Sequence, residues 1–290
     1  IKSIELAVAM SGNLAPDSRS GVNNSGMDKP ALMGILNITP DSFYAESRYS
    51  LDDALTEASS MIQSGATWVD IGGESTRPGA EIISIDEEIE RVIPAIRAIH
   101  NKYPEISISV DTRNHQVARL AIENGAKMVN DVSGLRDQKM VDLVLETGCI
   151  VCIMHMQGEP GSMQEQPLYD DVVEEVAQYL ESKAAELVKR GHSKDKIIID
   201  PGIGFGKNHQ HNIALMRAIS RFKASGHDLL WGISRKSVIG QLTGKSTAKE
   251  RLAGTLGSSI FAALNGVDIL RVHDVDEHND MLNVYRALVG

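Results

Sequence analysis

Three oxygen-bearing side chains stand at the ends of short apolar runs. Asp111 closes Ser-Val-Asp, Asn130 follows Met-Val, and Asp200 closes Ile-Ile-Asp. A carboxylate that converges with an amide suits a flat heterocycle carrying amino and ring N–H donors, because such a ring gives one carboxylate two parallel, charge-assisted hydrogen bonds. Metal binding is the competing use of such a set, but no His–Glu or His-x-x-x-His spacing supports a structural or hydrolytic zinc site. A third use is structural: strand-end aspartates cap the helices that follow them.

The cations have a comparable placement. Arg77 lies in Glu-Ser-Thr-Arg-Pro-Gly and Lys236 in Ser-Arg-Lys-Ser, while Arg271 and His273 are two apart and share one face of an extended segment. With Asn37, the pair Arg271 and His273 can hold a phosphate or pyrophosphate, assisted by nearby helix N-termini. Arg77 taken alone also reads as a solvated loop arginine. The stretch Asp200-Pro-Gly-Ile-Gly-Phe-Gly-Lys207 looks like a phosphate loop but fits neither G-x-x-x-x-G-K-[ST] nor G-x-G-x-x-G. It reads instead as a turn that lets a planar substrate approach the backbone, with Phe205 as a wall. Cys149-Ile-Val-Cys152 has C-x-x-C spacing but falls inside an apolar run, which favours buried core thiols over redox chemistry. His209 and His211 read as a solvated helix start.

The wider composition limits what these residues can serve. The 290-residue chain carries 29 Lys and Arg against 39 Asp and Glu, a formal net charge of −10, which argues against a general nucleic-acid binder. Any anion site is then a local construction. Hydrophobic residues make up 42%, enough for a sizeable core and too many for wholesale disorder. Two cysteines exclude a disulfide scaffold and point to a reducing, cytoplasmic setting. No apolar run has the roughly 18–20 residues of a membrane span, and no charged-then-apolar leader is present. The chain begins at Ile1, as a processed or excised piece would, and residues 1–30 read as a linker or flexible tail, with a junction to an upstream domain as the alternative.

From residue 31 onward eight short Val-, Ile- and Leu-rich runs recur: 31–38, 67–71, 106–110, 127–132, 149–154, 196–199, 229–233 and 269–272. They lack strict alternation, as expected of strands buried on both faces of a parallel sheet. Helical patterns lie between them. Ser50 is placed to cap a helix carrying Leu55, Ala58, Met61 and Ile62, with Gly65 past its end. Ser84 and Glu87 have capping-box spacing, and Pro94 is expected to kink the helix that follows. Further helices span 114–124, 137–147 and 170–190, each stopping at a glycine, and the last starts at Asp276 with Met281, Tyr285 and Leu288 on one face. Eight such units fit a (β/α)8 TIM barrel over 31–290, with a doubly wound open sheet as the rival. The barrel is favoured because polar residues end nearly every run, and only a closed barrel brings all those ends to one mouth.

The segments 33–43, 70–79, 109–113, 130–134, 154–158, 200–207, 234–237 and 271–274 together resemble the dihydropteroate synthases, and the resemblance extends over residues 31–290. It implies a TIM-barrel transferase of folate biosynthesis that joins the pyrophosphate ester of 6-hydroxymethyl-7,8-dihydropterin to p-aminobenzoate, with Mg2+, giving dihydropteroate and pyrophosphate. It also implies that Asp111, Asn130, Asp200 and Lys236 bind the pterin, with Met154 and Arg271 against its faces. Asn37, Arg271 and His273 would hold the pyrophosphate, and Asn37 would touch Mg2+. Phe43, Thr76, Arg77, Pro78, Phe205, Lys236 and Ser237 would shape the p-aminobenzoate side. Asp111, Lys236, Arg271 and His273 are the expected catalytic set. Sulfonamide inhibition, a homodimer and fusion to an upstream pyrophosphokinase domain are further implications of the resemblance.

One departure stands out. The family's first loop continues after its Phe as Ser-Asp-Gly-Gly, whereas Phe43 is followed here by Tyr44-Ala45-Glu46-Ser47. Ala45 replaces an aspartate expected to organise the Mg2+–pyrophosphate loop, Glu46 is the candidate substitute, and losing the glycines stiffens the segment. The readings are tolerated loop variation, or altered metal use, inhibitor sensitivity or activity. Two alternatives to a synthase share the pterin pocket: a barrel presenting methyltetrahydrofolate to a corrinoid partner, and a non-catalytic pterin-binding domain.

Overall fold

Segments rich in β-branched and leucine side chains pair in parallel and close on themselves. The strands are β1 (Ala31–Asn37), β2 (Trp68–Gly72), β3 (Ser107–Asp111), β4 (Met128–Asp131), β5 (Ile150–Met154), β6 (Ile197–Asp200), β7 (Asp228–Trp231) and β8 (Ile269–Val272). They form a closed barrel in sequence order, with β8 returning to β1. The fold is thus the expected (β/α)8 barrel, and closure removes the open-sheet rival. The computed structural model describes residues 30–38, 51–74, 83–158, 163 and 167–289. Residues 1–29, read above as a tail, lie outside that set, as do Ser50, Phe43, Tyr44-Ala45-Glu46-Ser47, Thr76, Arg77 and Pro78.

The helices are α1 (Leu51–Gln63), α2 (Ile85–Lys102), α3 (His115–Glu123), α4 (Gln138–Thr147), α5 (Val172–Lys189), α6 (His209–Arg217), α7 (Ile219–Lys223), α8 (Ser237–Thr243), α9 (Leu252–Leu264) and α10 (Val275–Val289). Local chemistry sets several of their ends. Ser84 Oγ accepts the Glu87 N–H at 3.1 Å, one half of the expected box, while the Glu87 carboxylate pairs with Arg91. Asp171 caps α5 through the N–H groups of Val173 and Glu174, and α4 stops where Gly148 turns left-handed. Helix α2 continues through Pro94, which sits on its exposed side. In α10 the buried stripe is Val275, His278 and Leu282. Met281 and Tyr285 pack against the core, but Leu288, expected on the same face, lies in the last turn of the helix and is 82% exposed.

Strand parity separates two layers of packing. One set of alternate residues, including Leu32, Val69, Ile108, Val129, Val151, Ile199, Leu229 and Leu270, packs outward against the helices. The other set turns inward, and its lower members, Met33, Met128, Cys152, Ile198, Leu230 and Ile269, plug the barrel. Two residues further along each strand the same inward parity delivers Asn130, Met154, Asp200 and Arg271. Parity also settles the cysteines: Cys149 belongs to the outer layer and Cys152 to the inner plug, both are free, and burial raises both thiol pKa values. They are core residues, as expected. No helix among the described residues is long and apolar enough to cross a membrane.

Leu230 lies fully buried in the plug, two residues below Gly232. Leu230→Ala leaves a cavity on the barrel axis and should cost about 2–5 kcal/mol. That corresponds to a thermal midpoint lower by about 3–8 °C, measured by circular dichroism. A shift of less than a degree would show that the plug relaxes to fill the gap.

Candidate active site

The C-terminal ends of the strands bring most of the predicted residues to one mouth. Pairing puts Asn37 opposite Gly72, Gly72 opposite Asp111, and Asp111 opposite Asn130. Met154 stands opposite Asp200 across β5 and β6. Gly72 keeps the space between Asn37 and Asp111 open: a Cβ there would lie 3.4 Å from Asp111 Cβ and 3.8 Å from Asn37 Oδ1.

Arg271 ties the mouth together. Its Nε donates to Asp70 Oδ2 at 2.5 Å and its Nη2 to Asp111 Oδ2 at 2.6 Å. Asn130 Nδ2 donates to the same Asp70 oxygen at 3.1 Å, which orients the amide and leaves Asn130 Oδ1 for a ligand donor. Burial works against the charge of Arg271, but Asp70 and Asp111 outweigh it and hold its pKa raised. For Asp111 the balance goes the other way. Burial pushes its carboxyl up to about 7, with Asp70 adding and Arg271 opposing. Asp70 is completely buried, and it is the residue whose importance the sequence reading missed. The available signal was its position: in Val-Asp-Ile-Gly-Gly it has the same inward parity as Asp111.

The opposite wall is built from the glycine-rich turn. Asp200 Oδ1 accepts the Gly202 N–H at 2.7 Å, and burial raises its pKa while Lys236 opposes. Gly202 has φ +68, and a Cβ would sit 2.0 Å from the carbonyl oxygen of His155, so only glycine fits that crossing. Lys207 is buried beneath the turn and donates to His155 Nδ1 at 3.1 Å, His155 O at 3.0 Å and Phe205 O at 2.9 Å. Three acceptors use all three donors of an ammonium. Burial nevertheless draws the Lys207 pKa well down, and burial together with Lys207 lowers His155 to about 3. Asn212 Oδ1 accepts from Gly204 N at 2.7 Å. Lys207 and Asn212 thus hold the turn from below and are not ligands of a phosphate, consistent with the failed phosphate-loop match.

Lys236 donates to Ile203 O and lies 4.5 Å above the centre of the Phe205 ring. Burial pulls its pKa down to about 8, against the pull of Asp200. Val132, Met154, Met156, Met163 and Phe205 form a small apolar cluster at the mouth, suited to the faces of a flat ring. His273, one residue past β8, donates its backbone N–H to Ser234 Oγ at 3.2 Å, and its Nδ1 is hydrogen-bonded to the same hydroxyl at 3.0 Å. Arg235, left-handed at φ +59, forks onto Asp274 and so locks Ser-Arg-Lys-Ser against Arg-Val-His-Asp. Ser237 is exposed at the start of α8. His211 caps α6 with Asn208, and His209 bonds Gln241 at the exposed helix start.

This geometry gathers two carboxylates and an amide, an apolar slot and a cationic edge in one cavity mouth. The pterin binding enzyme family matches residues 33–273. The dihydropteroate synthase of Escherichia coli K12 is 45% identical over 265 residues, 91% of this chain and 93% of that protein. The Yersinia pestis dihydropteroate synthase, solved as a sulfonamide drug complex, is 38% identical with a TM-score of 0.85, covering 91% of this chain and 96% of the other. The Xanthomonas albilineans enzyme in complex with 7,8-dihydropteroate is 36% identical with a TM-score of 0.83, covering 92% and 96%. Both the ordered set of strand-end residues and these likenesses over nearly the whole chain lead to one assignment: the chain belongs to the dihydropteroate synthases, within the pterin-binding enzymes.

Proposed function

We propose that the chain joins (7,8-dihydropterin-6-yl)methyl diphosphate to p-aminobenzoate by a dissociative substitution, giving 7,8-dihydropteroate and diphosphate. The observation that carries this reading is the Asp70–Arg271–Asp111 chain, which sets a carboxylate for the pterin beside a cation for the leaving group. Asp111, Asn130, Asp200 and Lys236 hold the pterin edge, and Met154 and Arg271 lie against its faces. The C–O bond between methylene and diphosphate breaks, its electron pair leaves with the diphosphate, and positive charge spreads into the electron-rich pterin. Asp111 and Asp200 favour that cation; Arg271, His273 and Asn37 favour the departing anion. The aromatic amine then attacks the methylene and loses a proton, with no covalent bond to the protein. Phe205, Lys236 and Ser237 shape the p-aminobenzoate side, and the family resemblance assigns to it Phe43, Thr76, Arg77 and Pro78, which lie outside the described residues.

A magnesium ion fits this edge as a passenger of the diphosphate. Magnesium keeps most of its shell as water and phosphate oxygens, and Asn37 offers one neutral oxygen at the end of β1. Bound there it would neutralise charge on the leaving group.

The direct test is diphosphate release from the pterin substrate, with and without p-aminobenzoate, across a Mg2+ titration. Release should require both, with dihydropteroate appearing one for one and a sulfonamide competing with p-aminobenzoate. Tight pterin binding without release would favour a non-catalytic domain instead.

The pKa shifts add a pH signature. Asp111 has to be ionised and Lys236 protonated to hold the pterin, and these groups stand at about 7 and about 8. The pterin kcat/KM should therefore rise as pH passes the lower value, where Asp111 loses its proton, and fall above the higher one, where Lys236 loses its own. Asp111→Asn should flatten the acid limb and Lys236→Arg should remove the basic limb. Profiles that keep both limbs in both variants would refute the assignment.

The same reading extends to a homodimer. Helices α9 and α10 pack together and leave Phe261, Leu264, Val284 and Leu288 exposed, apolar side chains that a second copy could cover. Sedimentation equilibrium should give a dimer that Phe261→Glu converts towards monomer; a wild-type monomer would refute it.

A further inference from the structure

Arg271 carries a divided fork. The Nε–H and Nη2–H groups of an arginine share one edge of the guanidinium, the edge that normally grips both oxygens of a single carboxylate. Here Nε is on Asp70 and Nη2 is on Asp111. Asp70 Oδ2 holds two donors, Arg271 Nε and Asn130 Nδ2. Asp70 Oδ1, equally buried, has no hydrogen-bond partner among the described residues. An orphaned oxygen on a fully buried carboxylate is costly, and it lies on the acceptor that the second arm of the fork would reach by closing. Asp111 meanwhile has two claimants, because the group that receives Arg271 Nη2 is also the one read above as a pterin ligand.

We propose that pterin binding hands Arg271 from a divided to a closed arrangement and so couples the pterin subsite to the diphosphate subsite. The N–H donors of the pterin take Asp111. Arg271 Nη2 moves onto Asp70 Oδ1 and completes a two-oxygen grip with Nε still on Oδ2. The opposite edge of the guanidinium, at Nη1, is then presented to the anion without Asp111 competing for the same positive charge. Asp70 acts in this as a positioning residue: it touches no substrate but decides where Arg271 stands in each state. The proximity needed is present, since Asn37 and Asp111 flank the same glycine, Gly72, so the two subsites adjoin. The proposal rests on the reading of Asp111 as a pterin ligand and Arg271 as an anion ligand.

By linkage, each ligand must then tighten the other by the same factor. The test is calorimetric titration of the full chain with inorganic diphosphate, with and without saturating 6-methyl-7,8-dihydropterin, at one fixed Mg2+ concentration. This pterin lacks a leaving group, so binding is read without turnover. In the wild-type chain the pterin should tighten diphosphate by about fivefold or more, with the reciprocal effect on the pterin. Asp70→Asn keeps the shape but removes the charge that retains the fork, and it should bring the coupling to within about twofold of independence. Arg271→Lys has no fork to divide and should lose the coupling too, which serves if Asp70→Asn fails to fold. Independent binding of the two ligands to the wild-type chain would overturn the hand-over and leave the proposed function standing. So would undiminished coupling in both folded variants. A wild-type chain that binds no pterin at all would overturn both.

Discussion

A guanidinium in the mouth of a parallel barrel has to be paired, and the pairing of Arg271 organises everything around it. Leaving one member of a buried ion pair uncompensated costs about 3–5 kcal/mol, so neither Asp70 nor Arg271 is free to vary alone. The pair bridges β8 and β2, the two neighbours of β1, and reaches Asp111 on β3. Asn130 on β4 joins through the same Asp70 oxygen. Four strands are thus keyed to one another by polar contacts above an apolar plug. The plug supplies burial without direction; the charges supply direction at a burial cost that the plug has to offset.

The other half of the mouth uses a different device. Between β6 and α6 the backbone itself forms the wall, because Gly202 crosses the carbonyl of His155 at a distance no side chain would allow. A turn with so many glycines is entropically loose. Lys207 tightens it from beneath, binding Phe205 O and both His155 acceptors. Lys236 and Phe205 then meet above it. One lysine serves as an internal strut and the other faces the cavity, although the sequence presents both as cations beside glycine or serine.

This contrast marks how far the sequence could be read. The barrel is visible because strands buried on both faces lose their alternation and each run ends in a polar residue. Asp111, Asn130 and Asp200 are visible for the same reason, and Arg271 by its two-residue spacing from His273. Asp70 is visible as a run end, but its role is not, because its partner lies 201 residues away and reaches it only when β8 closes onto β1. The role of Lys207 likewise depends on His155, 52 residues distant. Helix α9 also misleads: its large apolar residues Phe261 and Leu264 are exposed, and the face it buries is Thr255, Ser259, Ala262 and Ala263, small and partly polar, which no apolar period marks. In each case a local pattern is missing because the interaction is set by closure of the sheet or by packing between neighbouring helices.

The net charge of −10 and an anion-binding reaction are reconciled at the same place. Coulomb interactions between the acidic exterior and the mouth are screened over about 8–10 Å in physiological salt, whereas those within the mouth act at hydrogen-bond distance in a dry environment. The local balance therefore governs, and there Arg271 faces Asp70 and Asp111 while Lys236 faces Asp200. A mouth so nearly neutral has little attraction for a bare anion. It suits a substrate that brings both signs, an electron-rich ring able to carry positive charge and a diphosphate able to carry negative. Separation of those charges is the course of the proposed dissociative substitution, in which each developing charge would meet a partner already in place as the bond breaks.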